Sequence, residues 1–363
     1  MDLSTVLEGF RLPAGQKKAV PFGNGHINHT YLVTAEGVRD EFILQRVNSY
    51  VFNRPLEVME NIAHVTDYLR AVIAEEGGDP ERETMRLIPA ADGSYSVPAE
   101  DGDVWRVFLR VPDAVSPEHP DSTEMLRECG RAFGLFSRRL RGFPADTLHE
   151  SIPSFHDTPV RLAQLKEAME RDSEGRLKDV GDEIAFVMAR ADRTGQLVNA
   201  LKEGKLPLRV THNDTKVNNM LVDIHTGKAI CVVDLDTVMP GLMAYDFGEG
   251  VRVGASSADE DERDLNRIWL DLPRYGAFAR GFLAELREGM DRRELESLAV
   301  GPWMMTFENG MRFLADHLNG DVYFKIHREN HNLDRARTQF TLAAEIERQM
   351  PKMEKMLLGL AAR

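Results

Sequence analysis

The residues His212-Asn213-Asp214-Thr215-Lys216-Val217-Asn218-Asn219 form a polar loop between two short apolar runs, 208–210 and 220–222. Such a loop presents Asp214 to a cleft and brings Asn219, five residues on, towards the same metal ion. Phosphoryl transfer asks for that pairing: a carboxylate that orients an acceptor hydroxyl and takes its proton, and a neutral oxygen donor for Mg²⁺. The apolar runs that follow flank His225-Thr226-Gly227-Lys228, a turn between two hairpin strands. If strand 220–222 pairs with 230–233, the hairpin returns Asp234 to the side of Asn219, which makes Asp234 the main Mg²⁺ ligand. Asp236 lies on the same face of an extended chain and either binds a second ion or caps the next turn. Lys216 either counters charge on the moving phosphoryl group or is a solvated loop lysine. A lone His212 or Asp214 is ordinarily a turn or capping residue; the full spacing, completed by Asp234, is what weighs for chemistry, with His212 bracing the loop.

These groups need elements to hold them. Residues 19–48 carry a Gly23-Asn24-Gly25 turn, the run Thr30-Tyr31-Leu32-Val33, a turn at Gly37, and Phe42-Ile43-Leu44, the pattern of a three-stranded meander. Apolar residues recur at helical spacing over 56–74 until Gly77-Gly78-Asp79-Pro80 stops them. Further strands are expected at 85–88, 95–97 and 104–111, the last ending at Pro112-Asp113. Beyond it the pattern turns helical, over 123–140, 159–174, 180–203, 265–288, 292–318 and 333–360. With 363 residues, more than one hydrophobic core usually serves, two lobes are expected: 1–110 β-rich and nucleotide-binding, 111–363 mainly helical, catalytic and acceptor-binding.

Gly23-Asn24-Gly25 lies between strands with no following helix and no Gly-Lys-Ser/Thr ending, so neither a Rossmann nor a Walker A loop is spelled. A flap over nucleotide phosphates fits, as does ordinary hairpin chemistry. The third strand runs into Gln45 and Arg46 where a phosphate-gripping lysine is usual, and alternation lets only one of the two face a cleft. Arg312 and Asp316 sit at i, i+4, and either offer hydrogen bonds to an acceptor or pair with each other.

The His-x-Asp loop with Asn219, followed by the Asp of Val-Val-Asp-Leu-Asp, resembles the aminoglycoside phosphotransferase and choline kinase superfamily. That resemblance implies a bilobal, protein-kinase-like α/β fold, ATP as co-substrate with Mg²⁺, Asp214 as catalytic base, and Asn219 and Asp234 on the metal. It also implies that Asp246 hydrogen-bonds the catalytic loop, although an N-cap role fits Asp246 as well; Asp246-Phe247-Gly248 is then no metal motif. Within the superfamily, Gly25-His26-Ile27-Asn28, Phe155-His156-Asp157-Thr158-Pro159, Asp234-Leu235-Asp236-Thr237-Val238-Met239-Pro240-Gly241 and Gly310-Met311-Arg312-Phe313-Leu314-Ala315-Asp316 resemble the N-acetylhexosamine 1-kinases, as do residues 209–216. A sugar acceptor phosphorylated at its anomeric hydroxyl, touching Asp214, Arg312 and Asp316, is what this closer resemblance implies.

A formal net charge of −14, with no basic run, argues against nucleic acid and anionic membrane surfaces as partners. No apolar stretch is of membrane-spanning length, no signal core opens the chain, and Cys129 and Cys231 lack the spacing of a zinc or redox pair, so a cytoplasmic location is expected. Three alternatives remain open: another acceptor (a different sugar, an amino alcohol or an aminoglycoside), a glycosyltransferase using Asp234-Leu235-Asp236 as a metal motif, and a silent nucleotide-binding protein.

Overall fold

The computed structural model describes residues 3–23, 28–99 and 102–362. The chain divides into two compact units, neither continuous in sequence: one holds Met1–Pro117, Arg139–Pro153 and Asn219–Pro240, the other Glu118–Arg138, Ser154–Asn218 and Gly241–Arg363.

The first unit opens with helix α1 (Leu3–Glu8) and the meander β1 (Lys17–Pro21), β2 (His29–Ala35) and β3 (Glu41–Val47). After helix α2 (Pro55–Glu75), strands β4 (Val97–Pro98) and β5 (Val104–Leu109) complete an antiparallel sheet of order β1-β2-β3-β5-β4. Alternation sorts its side chains. Phe42 and Leu44 on β3 and Trp105 and Val107 on β5 join Val6, Leu7 and Val33 in one core. Ile43 and Gln45, opposite Phe108 and Arg106, point to the other face, where Met59 of α2 lies 4.0 Å from the Arg106 guanidinium. The strand expected at 85–88 is reduced to a single bridge, Leu87 to Phe108. Pro89 follows directly and has no N–H to extend a ladder. The short strand β6 (Ala114–Val115) comes next, with Asp113 just before it in left-handed conformation.

The second unit begins with α3 (Thr123–Arg139), whose first residues through Arg138 belong to it, and α4 (Thr158–Arg171). Asp157 caps α4 by accepting from Val160 N–H, and the left-handed Asp172 ends it, short of the expected residue 174. The helix expected over 180–203 is broken into α5 (Gly181–Met188), a 3₁₀ turn at Ala191–Arg193 and α6 (Gln196–Lys202). Thr194, whose hydroxyl bonds back to Ala191 O, and Gly195 interrupt it. Strand β7 (Arg209–Thr211) leads into the polar loop. The chain then passes to the first unit as the hairpin β8 (Met220–Asp223) and β9 (Ala229–Val232), which pairs β6 through β8.

Four helices finish the second unit: α7 (Met243–Gly254), α8 (Leu272–Leu286), α9 (Arg292–Leu318) and α10 (His331–Ala361). The one expected from 265 starts at Leu272 because Asp271 caps it and Pro273 occupies its first turn. Helix α7 was not legible in the sequence. Gly248, Gly250 and Gly254 lower its propensity, yet a Cβ on Gly248 would stand 2.5 Å from the Gly301 backbone of α9. Close backbone packing against α9, rather than propensity, makes this segment helical. No helix among the described residues is long and apolar enough to cross a membrane.

Candidate active site

In the second unit the polar loop is held from behind. Asp246, in the first turn of α7 and fully buried, accepts from His212 N–H at 2.9 Å and Asn213 N–H at 2.7 Å, and its own carbonyl accepts the Thr215 hydroxyl at 2.6 Å. Leu242, not Asp246, occupies the N-cap of α7, so of the two roles open to Asp246 the loop-bonding one is realised. Burial pushes its carboxyl up to about 6, against the two N–H bonds that favour ionisation. His212 is buried edge-on to Phe133 and Phe136, at 5.2 and 5.9 Å between ring centres, and Asp214 N–H lies 3.3 Å from its Nδ1. The histidine braces the loop as a packed, hydrogen-bonded ring. Asn213 adopts a left-handed conformation at φ 64° that turns the chain towards Asp214.

Asp214 and Lys216 meet at 2.6 Å between Oδ1 and Nζ, both partly exposed. The carboxylate holds the ammonium above the ordinary lysine range, and Glu249 adds to that. Glu249, buried on α7, is itself gripped by Arg252 through two hydrogen bonds of 2.8 and 2.6 Å. Burial alone would raise its carboxyl; Arg252 outweighs this and brings it down to about 2. Lys216 is therefore a fixed cation, not a freely solvated one.

Asn219 starts the portion of the loop that belongs to the first unit. Its carbonyl accepts Val233 N–H at 2.9 Å, which extends the β8–β9 register of Met220 opposite Val232 by one pair. Asp234 follows one residue past the Asn219–Val233 pair, at the loop end of the hairpin. It is exposed and left-handed, φ 61° and ψ 57°, a conformation that costs a non-glycine residue about 1–3 kcal/mol and clusters at functional sites. One carboxylate and one amide oxygen are the hard donors Mg²⁺ takes when phosphates and waters fill its other positions. Among the described residues no group of three or more His, Cys, Asp or Glu is set to hold an ion.

Asp236, read as either a second metal ligand or a turn cap, has its carboxylate engaged by other side chains. It is buried, its Oδ1 is paired with Arg106 Nη1, and its Oδ2 accepts from Asn28 Nδ2 at 2.6 Å. Both oxygens are thus engaged by protein groups. Gln45 and Arg46 point to opposite faces as alternation requires, and neither offers a spare cation on the α2 face. The Gln45 carbonyl accepts from Arg106 Nε and Nη2 at 3.1 and 2.8 Å, while Arg46 pairs with Asp103 at 2.8 Å. Arg106 itself escaped the sequence reading. Its signal is a lone charge inside the apolar strand Val104–Leu109. Gly23 takes φ 76°, and Phe22 N–H donates to Thr30 O at 3.0 Å, which closes the β1–β2 ladder. Asn24 and Gly25 lie outside the described residues.

On α9, Arg312 and Asp316 do not pair. The Arg312 guanidinium lies over Phe155 and Phe324 at 5.3 and 5.4 Å and donates to Asn309 at 3.2 Å. Asp316 accepts from the N–H groups of Val322, Tyr323 and Phe324 at 3.1, 2.8 and 2.9 Å and from Asn332 Nδ2 at 2.9 Å. It is buried and fully bonded, and so it anchors the segment after α9 instead of reaching an acceptor, contrary to expectation. Glu308, one turn before Arg312 and completely buried, accepts from His156 Nδ1 at 2.8 Å and Thr158 Oγ1 at 2.7 Å. Burial would raise this carboxyl, but His156 and the two hydrogen bonds keep it below the usual glutamate value. The sequence motif Phe155-His156-Asp157-Thr158 contains the partners of that glutamate without revealing it.

The antiparallel sheet followed by a helical C-terminal part is a kinase-like fold shared with solved phosphotransferases. An aminoglycoside phosphotransferase from Alicyclobacillus acidocaldarius aligns at TM-score 0.58 and 12% identity, over 98% of this chain and 96% of that one. A spectinomycin phosphotransferase solved with ADP and spectinomycin gives 0.53 at 10% identity, over 93% of both chains. An ethanolamine kinase from Plasmodium vivax gives 0.50 at 11%, over 88% of this chain and 80% of that one. Residues 18–294 match the phosphotransferase enzyme family, and the chain belongs to it.

Proposed function

We propose that this phosphotransferase uses Mg²⁺-ATP to phosphorylate the anomeric hydroxyl of an N-acetylhexosamine, releasing ADP and a sugar 1-phosphate. The observation that carries the chemistry is the Asn219–Val233 backbone hydrogen bond, which brings the chain at Asn219 next to the segment leading into the exposed Asp234, at the open end of one hairpin. In this reading nucleotide binding belongs to residues 1–110, and catalysis and acceptor binding to 111–363. Asn219 and Asp234 hold the metal, which when bound screens the phosphate oxygens. Asp214 accepts a hydrogen bond from the acceptor hydroxyl, orients it for attack on the γ-phosphorus, and takes its proton as the new P–O bond forms and the bond to the ADP oxygen breaks. Lys216, paired with Asp214, counters negative charge on the moving phosphoryl group as the bond to ADP breaks.

For the acceptor, Arg312 is the supporting residue: a guanidinium laid over Phe155 and Phe324 offers donors beside apolar ring faces, which suits hydroxyls and an acetamido carbonyl. Burial and the nearby Arg312 charge both lower the Arg161 guanidinium. The glycosyltransferase alternative is disfavoured, because Asp236 is committed to Arg106 and Asn28 and leaves its motif with one carboxylate. A Mg²⁺-dependent ADP-release assay over GlcNAc, GalNAc, other hexoses, ethanolamine, choline and aminoglycosides tests the reading. Turnover confined to the N-acetylhexosamines is expected. Turnover with a cationic acceptor alone would refute the acceptor assignment and keep the phosphoryl chemistry.

A further inference from the structure

We propose that Arg106 is a positioning residue that clamps the turn carrying Asp234, aimed by Gln45 at the strand position where a lysine is usual. The inference rests on the metal role proposed for Asp234. Arg106 is 1% exposed, too buried to touch a nucleotide, and its donors are spent on protein groups. Nε and Nη2 reach the Gln45 carbonyl oxygen on the neighbouring strand, and Nη1 reaches Asp236 Oδ1. Gln45 in turn donates to Thr30 Oγ1 at 3.1 Å, which fixes its amide so that its oxygen faces the guanidinium. The position where a lysine is usual thus holds a neutral acceptor that aims an arginine from the next strand.

Asp236 is the centre of the clamp. It lies in the 3₁₀ turn Leu235–Thr237 that begins immediately after the left-handed Asp234. Its side chain is held by Arg106 and Asn28, and its carbonyl by the Ser151 hydroxyl at 3.3 Å. Fixing residue 236 from three directions leaves Asp234 little freedom to leave its strained conformation, which has to be imposed by its surroundings. Asn28 adds a second link: its Oδ1 accepts from Asn48 N–H at 3.1 Å, so the β1–β2 connection, the end of β3 and the Asp234 turn are tied through one amide. An ion pair this deep gains its value from fully satisfied hydrogen bonds, and breaking one partner leaves an uncompensated charge.

The test uses the full chain and Mn²⁺ as the metal probe, with bound Mn²⁺ measured by electron paramagnetic resonance in the presence of ADP. Two variants are compared with the parent: Arg106→Lys, which keeps the charge and loses the fork, and Arg106→Met with Asp236→Leu, which removes both charges without stranding either. Thermal unfolding verifies that each is folded. A rise of at least tenfold in the Mn²⁺ dissociation constant is expected in the double variant and a smaller rise in Arg106→Lys, with the affinity for metal-free ADP changed less than about threefold. Unchanged metal affinity in the folded double variant would overturn the clamp. Tighter Mn²⁺ binding in Arg106→Lys would also overturn it, since Asp236 released from its partner would then be a ligand itself. Were the parent protein to bind ADP but no Mn²⁺, the metal role of Asp234 would fall first, and the clamp with it.

Discussion

Asp214 is the residue on which the proposed chemistry turns. Its carboxylate has a fixed cation at 2.6 Å and a backbone N–H turned onto His212, so its position is set before any acceptor arrives. Asp214→Asn should lower kcat by about 10²–10⁴, the usual worth of a positioned general base, with ATP affinity nearly unchanged. A variant that turns over like the parent would remove Asp214 from that role. Asp234→Ala should abolish Mg²⁺-dependent turnover, and a parent-like Mg²⁺ titration would contradict its assignment. At this scale local spacing made the polar loop and the β8–β9 hairpin legible, and with them the places of Asp214, Asn219 and Asp234 along the chain. It was a poor guide for Asp236 and Asp316. Their carboxylates are consumed by Arg106, Asn28, Asn332 and backbone N–H groups, and the partners of Asp236 lie on other strands and turns far off in sequence.

Elements explain how the loop is held. Helix α7 supports it through Asp246, whose burial lifts the carboxyl to about 6. Between the ordinary aspartate value of about 3.9 and 6 the native state binds more protons than the unfolded chain. Its contribution to stability therefore falls as pH rises through that window and is constant above it. Ionised Asp246 accepts both loop N–H bonds, so kcat should climb through about pH 6. Asp246→Asn should flatten that acid limb and lower the plateau, because a single amide oxygen replaces two carboxylate oxygens. Retention of the parent limb in the variant would place the titrating group elsewhere. The same helix shows where pattern reading stops. Helix α9 was legible over its whole length, from Arg292 to Leu318, whereas α7 was not, because the close packing of Gly248 on Gly301, Gly250 on Phe278 and Gly254 on Leu126 is a tertiary fact. Gly301→Ala is a direct probe: its Cβ would stand 2.1 Å from Ala244 O. A loss of about 1–3 kcal/mol is expected from such overpacking, measured by urea unfolding, and an unchanged midpoint would deny the close approach.

The molecule as a whole pairs two units built by different rules. In the sheet-bearing unit alternation decides what each residue faces; in the helical unit burial of long helices does, and α9 alone buries residues along nearly its whole length. The meander and the helical second half were readable because each is locally periodic, while the passage of the chain from one unit to the other and back was not, since contacts define it. With a net charge of −14, an anionic nucleotide has to be held by local groups, and in the proposed reading the metal is one of them. Saturation with Mg²⁺-ATP at about 100 times its dissociation constant should stabilise the fold by about 2.7 kcal/mol, and chelation with EDTA should remove most of that gain in a thermal scan. An EDTA-insensitive shift would separate nucleotide binding from Asn219 and Asp234. The central claim, transfer of the γ-phosphate to an anomeric hydroxyl, is tested most directly by ³¹P NMR of a reaction containing Mg²⁺-ATP and N-acetylglucosamine or N-acetylgalactosamine. The account predicts a new phosphate monoester signal coupled to the anomeric proton, growing with ADP. A monoester on any other carbon, or no new ester with either sugar while other acceptors are consumed, would contradict it.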